Sequence, residues 1–188
     1  VSITHMPTNS GHLAPAEEIG KICKENGVLF LLDACQTIGQ YPLDVKKLNC
    51  DMLSATGRKY LRGPRGTGFL YVNQEALSKL NPVAIDLHSA QWTEENAYEF
   101  RSDAKRFENW EGNRATQMGL NVAVQYARKV GLEEIWLRIQ QLASVVRAKM
   151  KGLSHVNCHD QGSVLGGIVS FTVDGLSAEE VKHALLAK

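Results

Sequence analysis

Three side chains near the ends of predicted strands are able to act together on one bound group. Asp33 carries a carboxylate, Gln36 follows one short turn later with a carboxamide, and Lys59 carries an amine. A carboxylate can hold a proton on a ring nitrogen, an amide can donate to a phenolic oxygen, and an amine can bond to an aldehyde carbon. These are the contacts that pyridoxal 5'-phosphate (PLP) requires, so the first hypothesis is an enzyme that uses PLP as an electron sink.

The residues just before the lysine could bind the phosphate of that cofactor. Thr56 offers a hydroxyl, Gly57 a bare backbone and Arg58 a guanidinium, and phosphates are bound by such donors. The following glycine-rich run, 63–68, lacks the lysine and hydroxyl ending of a Walker motif and the spacing of a dinucleotide fingerprint. We interpret it as a tight connection into the next strand.

Each candidate has an ordinary alternative role when it is taken alone. Lysines are usually solvated, and an aspartate at a strand end usually turns the chain. Asn9, in the loop after the first predicted strand, could reach the cofactor or a substrate carboxylate, but Asn9-Ser10-Gly11 is also a plain turn sequence. The hypothesis therefore rests on the combination and not on any single residue.

The elements that must position these residues alternate between strands and helices. Strands are predicted at 1–5, 28–32, 51–55 and 67–72, with a helix at 15–26 and a short helical turn at 44–48. The strand at 28–32 is apolar on both faces, which is typical of a parallel strand covered by helices on each side. The pattern predicts an α/β protein with a mostly parallel sheet and helices on both faces, and ligands in such sheets collect at the carboxyl ends of the strands.

The second half of the sequence predicts a boundary between two domains. Residues 82–111 are polar and show no clear periodicity, so we assign no helix or strand to them. We interpret the region as a surface segment that could reach a partner subunit. Helices are predicted at 115–130 and 132–151, and the second is long enough to bridge two domains. A strand at 168–173 and a helix that starts with a capping box at Ser177 follow. We predict that 1–130 is the second half of a large domain, and that 131–188 is a bridging helix with part of a small α/β domain.

Composition excludes several classes of function. The chain has 188 residues, a net charge of +1 and 44% hydrophobic residues, so it has no field strong enough to attract nucleic acid. The longest apolar run, 28–32, is too short to cross a membrane. Four cysteines stand without the close pairs that zinc sites use. We therefore expect a cytoplasmic protein without a metal. Because a core strand is predicted at 1–5 and a capped helix starts at Ser177, close to residue 188, we also expect the chain to be a piece of a larger protein.

The run Asp33-Ala34-Cys35-Gln36, with Arg58-Lys59 and the glycine-rich run 63–68, resembles the class V aminotransferase family of PLP enzymes. That family includes the cysteine desulfurases, isopenicillin N epimerase-like proteins and C–S lyases. The resemblance implies fold type I and an amino acid substrate. It implies that Lys59 is the Schiff-base lysine, that Asp33 is the partner of the pyridine nitrogen, and that Gln36 bonds the phenolic oxygen. It further implies that Thr56 and Arg58 contact the phosphate and that Asn9 lies near cofactor and substrate.

The same resemblance implies a homodimer with shared active sites. In this family the loop that corresponds to 110–113 comes from the other subunit and approaches the phosphate. Asn113, at the end of that loop, is therefore a further candidate cofactor contact.

One departure from the family pattern bears on the reaction. Cysteine desulfurases usually have histidine directly before the lysine, where this chain has Arg58, and this favours the aminotransferase, epimerase or C–S lyase branch. A cysteine desulfurase or selenocysteine lyase remains an alternative, although no cysteine here matches the desulfurase nucleophile. A non-catalytic phosphate-binding or interaction module is the other alternative. The fragment alone is expected to be inactive.

Overall fold

The main sheet of the computed structural model contains four strands and is mostly parallel, as predicted. The structure describes residues 1–108 and 111–188. The sheet order is β1-β2-β3-β4; β1 and β2 are parallel, β2 and β3 are parallel, and β4 runs antiparallel to β3. The strands are β1 (Ser2–Thr4), β2 (Leu31–Asp33), β3 (Met52–Thr56) and β4 (Gly68–Val72). The carboxyl ends of β1, β2 and β3 therefore meet at one edge.

The central strand β2 starts three residues later than the sequence predicts. Val28 is 43% exposed, whereas Phe30 and Leu32 are fully buried. Pairing with both neighbours begins at Leu31, and the Phe30 amide donates to the carboxylate of Asp51 at 2.8 Å instead. Apolar character alone does not distinguish a strand from the buried segment that leads into it.

Helix α1 (Ala16–Glu25) covers one face of the sheet through small residues. Ala16, Gly20 and Cys23 are its buried positions, and a Cβ atom at Gly20 would overlap the carbonyl of Leu48. Pro15 is the N-cap residue of α1, whereas the sequence predicts it in the first turn of the helix. The helix and the sheet together enclose the main hydrophobic core, whose buried members are Ala16, Cys23, Phe30, Leu32, Ala34, Leu48, Cys50, Leu53 and Ala55.

The region left unassigned at 82–111 contains a β-hairpin. Strand β5 (Ala90–Glu94) pairs antiparallel with β6 (Ala97–Phe100), and short 3₁₀ helices lie at Leu77–Lys79 and Ala104–Phe107. Most hairpin side chains are exposed, and Trp92 is 75% exposed. A hairpin with little burial on either face lacks the alternation of apolar and polar residues that identifies strands in a sequence.

The last third of the chain contains three helices and a second small sheet. Helices α2 (Arg114–Val130) and α3 (Leu132–Lys151) are separated by Gly131, whose φ of +95° suits glycine. Strands β7 (Val156–Cys158) and β8 (Phe171–Val173) pair antiparallel; β7 has no counterpart in the prediction, and β8 is shorter than predicted. Helix α4 (Ala178–Leu186) begins with the predicted capping box. Among the described residues, no helix combines the length and apolar character needed to span a bilayer.

Candidate active site

Apart from Asn113, the candidate residues lie at strand ends or on the loops that leave one edge of the sheet. Asp33 pairs in register with Thr4 of β1 and with Ser54 of β3. Beyond the strands, the His5 amide donates to the Asp33 carbonyl at 2.9 Å, and the Ala34 amide donates to the Ser54 carbonyl at 2.8 Å. The loops after β1, β2 and β3 therefore start at the same level, as expected for a ligand site of an α/β sheet.

The Asp33 carboxylate is half-buried and oriented by its own turn. Its Oδ1 atom accepts a hydrogen bond from the Cys35 amide at 2.9 Å. A carboxylate can accept several hydrogen bonds, so this contact fixes the side chain and leaves acceptor capacity for a ligand.

The Cys35 thiol lies close to both charged candidates. Burial, together with a hydrogen bond to the Asp33 carboxylate and its negative charge, raises the pKa of the Cys35 thiol, whereas the positive charge of Lys59 and a hydrogen bond with the Thr56 backbone lower it. Asp33 ends β2, and Lys59 follows the end of β3, the strand that pairs with β2. The acid and the amine therefore belong to the same edge of the sheet.

Gln36 is 8% exposed and joins the loop after β2 to the loop after β1. Its Nε2 atom donates to Thr8 Oγ1 at 3.0 Å. A carboxamide nitrogen has two N–H groups, so the bond to Thr8 orients the side chain and one donor remains for a ligand. Thr8 is a contact that the sequence did not single out, although it directly precedes the candidate Asn9.

The turn that carries Lys59 is closed by backbone hydrogen bonds. The Gly57 amide donates to the Thr67 carbonyl at 2.8 Å, and the Gly63 amide donates to the Gly57 carbonyl at 2.7 Å. A Cβ atom at Gly57 would overlap Thr67 and Leu120 of α2. Lys59 itself is half-buried, and no carboxylate of the described residues forms an ion pair with its amine.

An open cavity of ≈ 550 Å³ lies beside Gln36 and Lys59. The guanidinium of Arg62 stacks over the Tyr126 ring in its wall, 4.9 Å from the ring centroid. The remaining lining residues are Gly39, Tyr60, Val130, Ile135, Arg138 and Ile139. Gln36 and Lys59 therefore border a cavity that α2 and α3 partly enclose.

The phosphate candidates stand at the end of β3. Thr56 is half-buried, and its hydroxyl donates to the Thr67 carbonyl at 3.4 Å, whereas Arg58 is exposed. The Gly57 amide already donates to the Thr67 carbonyl, so the Thr56 hydroxyl and the exposed Arg58 guanidinium are the donors that this turn could offer to a phosphate. These donors, with Asp33, Gln36 and an amine that no described carboxylate neutralises, fit the groups of PLP.

The two asparagine candidates are placed differently from each other. Asn9 is exposed in the loop after β1, and its carbonyl accepts a hydrogen bond from the Ser170 hydroxyl. Asn113 is the N-cap of α2 and accepts from the Thr116 amide at 3.2 Å. None of the described contacts of Asn113 involves Asp33, Gln36 or Lys59. Residue 110, the start of the loop expected to reach the partner subunit, lies outside the described residues.

Carboxylate, amide and amine at the carboxyl edge of parallel strands define an α/β protein with a ligand site between its strand loops. The family model described as "Aminotransferase class-V" matches residues 1–188. The chain belongs to the class V aminotransferase family.

Curated relatives match almost the whole chain. A probable cysteine desulfurase of Pyrococcus abyssi is 31% identical over 189 residues, which cover 98% of this chain and 46% of the relative. A probable cysteine desulfurase of Methanothermobacter thermautotrophicus is 27% identical over 185 residues, with the same two coverages. The chain thus spans about half the length of the curated relatives it matches.

Solved structures share the fold over the whole chain. The apo cysteine desulfurase of Thermococcus onnurineus NA1 superposes with a TM-score of 0.92 at 29% identity, covering 100% of this chain and 47% of that one. A lysine-to-alanine mutant of C-DES with glycine covalently linked to the PLP cofactor superposes with a TM-score of 0.89 at 29% identity, covering 100% of this chain and 50% of that one. The cystine C–S lyase C-DES with its product cysteine persulfide superposes with a TM-score of 0.89 at 29% identity, covering 100% of this chain and 51% of that one. The predicted fold class is confirmed: the chain has the α/β fold of PLP-dependent fold type I enzymes.

Proposed function

We propose that the full-length protein carrying this chain is a PLP-dependent enzyme that acts on an amino acid and cleaves a carbon–sulfur bond. The observation that carries the proposal is that Asp33 and the Lys59 turn follow paired strands at one edge of the sheet, with Gln36 and Lys59 beside one cavity. The sulfur chemistry in the names of the relatives supports the choice of bond. We also propose that the protein is cytoplasmic. Cell fractionation would then find it in the supernatant after membranes are removed.

The residues of the site have separate roles in this proposal. When bound, PLP supplies an electron sink for negative charge that develops at the substrate α-carbon. Asp33 holds the proton on the ring nitrogen, and Gln36 donates its free N–H to the phenolic oxygen. Thr56 and Arg58 bind the phosphate. Lys59 would hold the cofactor through its amine, and the same amine, when free, would move a proton at the substrate α-carbon.

The remaining candidates concern the substrate and the assembly. Asn9 lies in the neighbouring loop, where it can reach a substrate carboxylate. Asn113 caps the start of α2, and we propose from the family resemblance that it also approaches the active site of a partner subunit in a homodimer. Mixing inactive Lys59→Ala and Asn113→Leu subunits would restore partial activity if active sites are shared, and no activity if they are not.

The experiment on the cofactor uses the full-length protein loaded with PLP. Reduction with borohydride followed by peptide mapping is expected to place the pyridoxyl group on Lys59. Lys59→Ala should lack the visible band of the lysine-linked cofactor, whereas the control Lys21→Ala, on the exposed face of α1, should keep it. An unchanged band in Lys59→Ala would refute the proposal.

A cysteine desulfurase is the second candidate, because the Pyrococcus and Methanothermobacter relatives carry that name. Products distinguish the two reactions. Elimination from cystine yields pyruvate, ammonia and cysteine persulfide, whereas desulfuration of cysteine yields alanine and transfers the sulfur to a thiol of the enzyme. Alanine without pyruvate would favour the desulfurase over the C–S lyase.

A further inference from the structure

Gln40 is a buried carboxamide whose polar atoms all have partners. It is 1% exposed and follows Gln36 by one turn. Its Nε2 atom donates to the Gln36 carbonyl and lies 3.4 Å from Met6 Sδ. Its Oε1 atom accepts from the Gly167 amide at 3.0 Å. One side chain thus connects the Gln36 turn with a segment more than a hundred residues away in the sequence.

These partners determine the orientation of the Gln40 amide. In the reverse orientation its oxygen would face the Gln36 carbonyl and its NH₂ group would face the Gly167 N–H. Both hydrogen bonds would be lost, and buried polar groups without partners are costly. The amide therefore has one satisfied arrangement.

Gln40 also contacts Tyr60, the neighbour of Lys59. Burial raises the pKa of the Tyr60 phenol, and a hydrogen bond with the Gln40 side chain lowers it. The Tyr60 hydroxyl and the Gln40 Oε1 atom also lie side by side at Gly167, 2.9 Å and 3.3 Å from the position that a Cβ atom would take there. Gln40 therefore lies where the Gln36 turn and the Lys59–Tyr60 turn meet this glycine.

Gly166 and Gly167 make this contact possible because they have no side chains. A Cβ atom at Gly167 would lie 2.9 Å from the Tyr60 hydroxyl and 3.0 Å from Ile139 Cγ2, and one at Gly166 would overlap Met6. Contacts under 3.0 Å force a neighbour to move. A side chain at either position would therefore require the Tyr60 hydroxyl or the Met6 side chain to shift.

We propose that Gln40 is a positioning residue for the candidate active site, holding the Gln36 turn and the Lys59–Tyr60 turn against Gly167. Buried hydrogen-bond networks of this kind rigidify what they connect. Through Gln40, the Gly166–Gly167 segment thereby holds the backbone of Gln36, while Thr8 orients its side chain. The direction of the Gln36 donor depends on both. This inference rests on the proposed function, in which Gln36 donates to the phenolic oxygen of PLP.

The effect is measurable in the absorption of the loaded protein. A donor at the phenolic oxygen draws electron density from it, so the oxygen holds a neighbouring proton less strongly. When Gln36 loses its orientation, the visible band of the lysine-linked cofactor should titrate at a higher pH. A lost hydrogen bond of ordinary strength corresponds to about 0.5–1 pH unit.

The experiment compares Gln40→Met with Gln140→Met in the full-length, PLP-loaded protein. Gln140 lies on α3 and donates to the Leu165 carbonyl at 3.0 Å, so it contacts the same segment without touching Gln36 or Tyr60. The midpoint should rise in Gln40→Met and stay unchanged in Gln140→Met. In a Gln36→Leu background, Gln40→Met should add no further shift, because Gln40 acts through Gln36.

The outcomes separate this inference from the proposed function. If the unmodified protein shows no lysine-linked band, the proposed function fails. If the band is present and Gln40→Met titrates like the unmodified protein, or its shift is additive with Gln36→Leu, the positioning role is overturned while the function stands. If Gln40→Met does not fold, Gly167→Ala carries the same comparison, since it displaces the Gly167 amide from Gln40 and should raise the midpoint.

Discussion

Arg147 on α3 and Asp160, in the segment after β7, form an ion pair with Nε and Oδ2 3.0 Å apart. The Asp160 side chain is 1% exposed, and the Arg147 side chain is 13% exposed. Asp160 also accepts a hydrogen bond from the Gly11 amide at 3.0 Å, and Arg147 donates to the carbonyls of Gly166 and Ile168. The pair thus connects α3 and the Gly166–Gly167 segment to the loop after β1.

Removal of the Arg147 charge should strongly destabilise the protein. Arg147→Met leaves a buried carboxylate without its cation, and breaking a buried pair in this way costs roughly 3–5 kcal/mol. The matched change Arg101→Met removes an exposed partner of Asp103 and should cost much less, because ion pairs in water contribute little to stability. Urea unfolding of the full-length protein measures both values, and equal losses would contradict the assignment.

Gly39 should tolerate alanine much less well than Gly27. Both have positive φ, +84° and +64°, so alanine at either adds about 1–2 kcal/mol of backbone strain. At Gly39 the new Cβ would also lie 2.7 Å from the Leu61 amide nitrogen and 2.8 Å from the Tyr60 carbonyl carbon, whereas at Gly27 nothing lies within 4 Å.

We therefore expect Gly39→Ala to lower the melting temperature more than Gly27→Ala. Because the clash is with the turn after Lys59, Gly39→Ala should also weaken PLP binding, as measured by equilibrium dialysis. Equal melting temperatures for the two variants would show that the Gly39 contact is less close than the structure indicates.

His5 should make the stability depend on pH. It is 2% exposed, contacts Thr37 Oγ1 at 3.1 Å and packs against the edge of Tyr41. Burial lowers the pKa of His5 from 6.5 to about 4. The unfolded chain therefore binds a proton that the folded chain excludes, so this contribution to stability is present above pH 6.5 and is lost as the pH falls toward 4.

The variant His5→Phe, which keeps a ring beside Tyr41, isolates this contribution. Between pH 7 and pH 4.5 the unmodified protein should lose about 2–3 kcal/mol more unfolding free energy than the variant. Parallel urea titrations at the two pH values measure the difference. If the two proteins lose the same amount, His5 is not buried in its neutral form.

The predictions succeeded where local chemistry is strong. The capping box at Ser177, the break at Gly131 and the buried strands around Asp33 follow from short-range preferences that tertiary contacts reinforce. The hairpin Ala90–Glu94 with Ala97–Phe100 was not predicted, because its exposed faces leave no periodic pattern. Strand β7 is three residues long, too short for any period to be visible.

The residues of the candidate site likewise fall into those that the sequence identified and those that it did not. Lys59, Asp33 and Gln36 were identifiable because their residue types and spacing match what one cofactor needs. Thr8 and Gln40 were not, since a threonine in a polar loop and a glutamine before a tyrosine carry no signal of what they contact. Their roles come from hydrogen bonds to residues that are distant in the sequence.

The order of residues by itself determined the class of fold, the family and the chemical groups offered to a ligand, because these depend on local periodicity and on motif spacing. The folded structure decided which groups meet. Asp33 and the Lys59 turn meet at one edge of the sheet because parallel strands end there. Gln40 contacts Gly167 because a glycine pair lets a remote segment approach that edge. Such contacts depend on the packing of elements far apart in the chain, which no local pattern encodes.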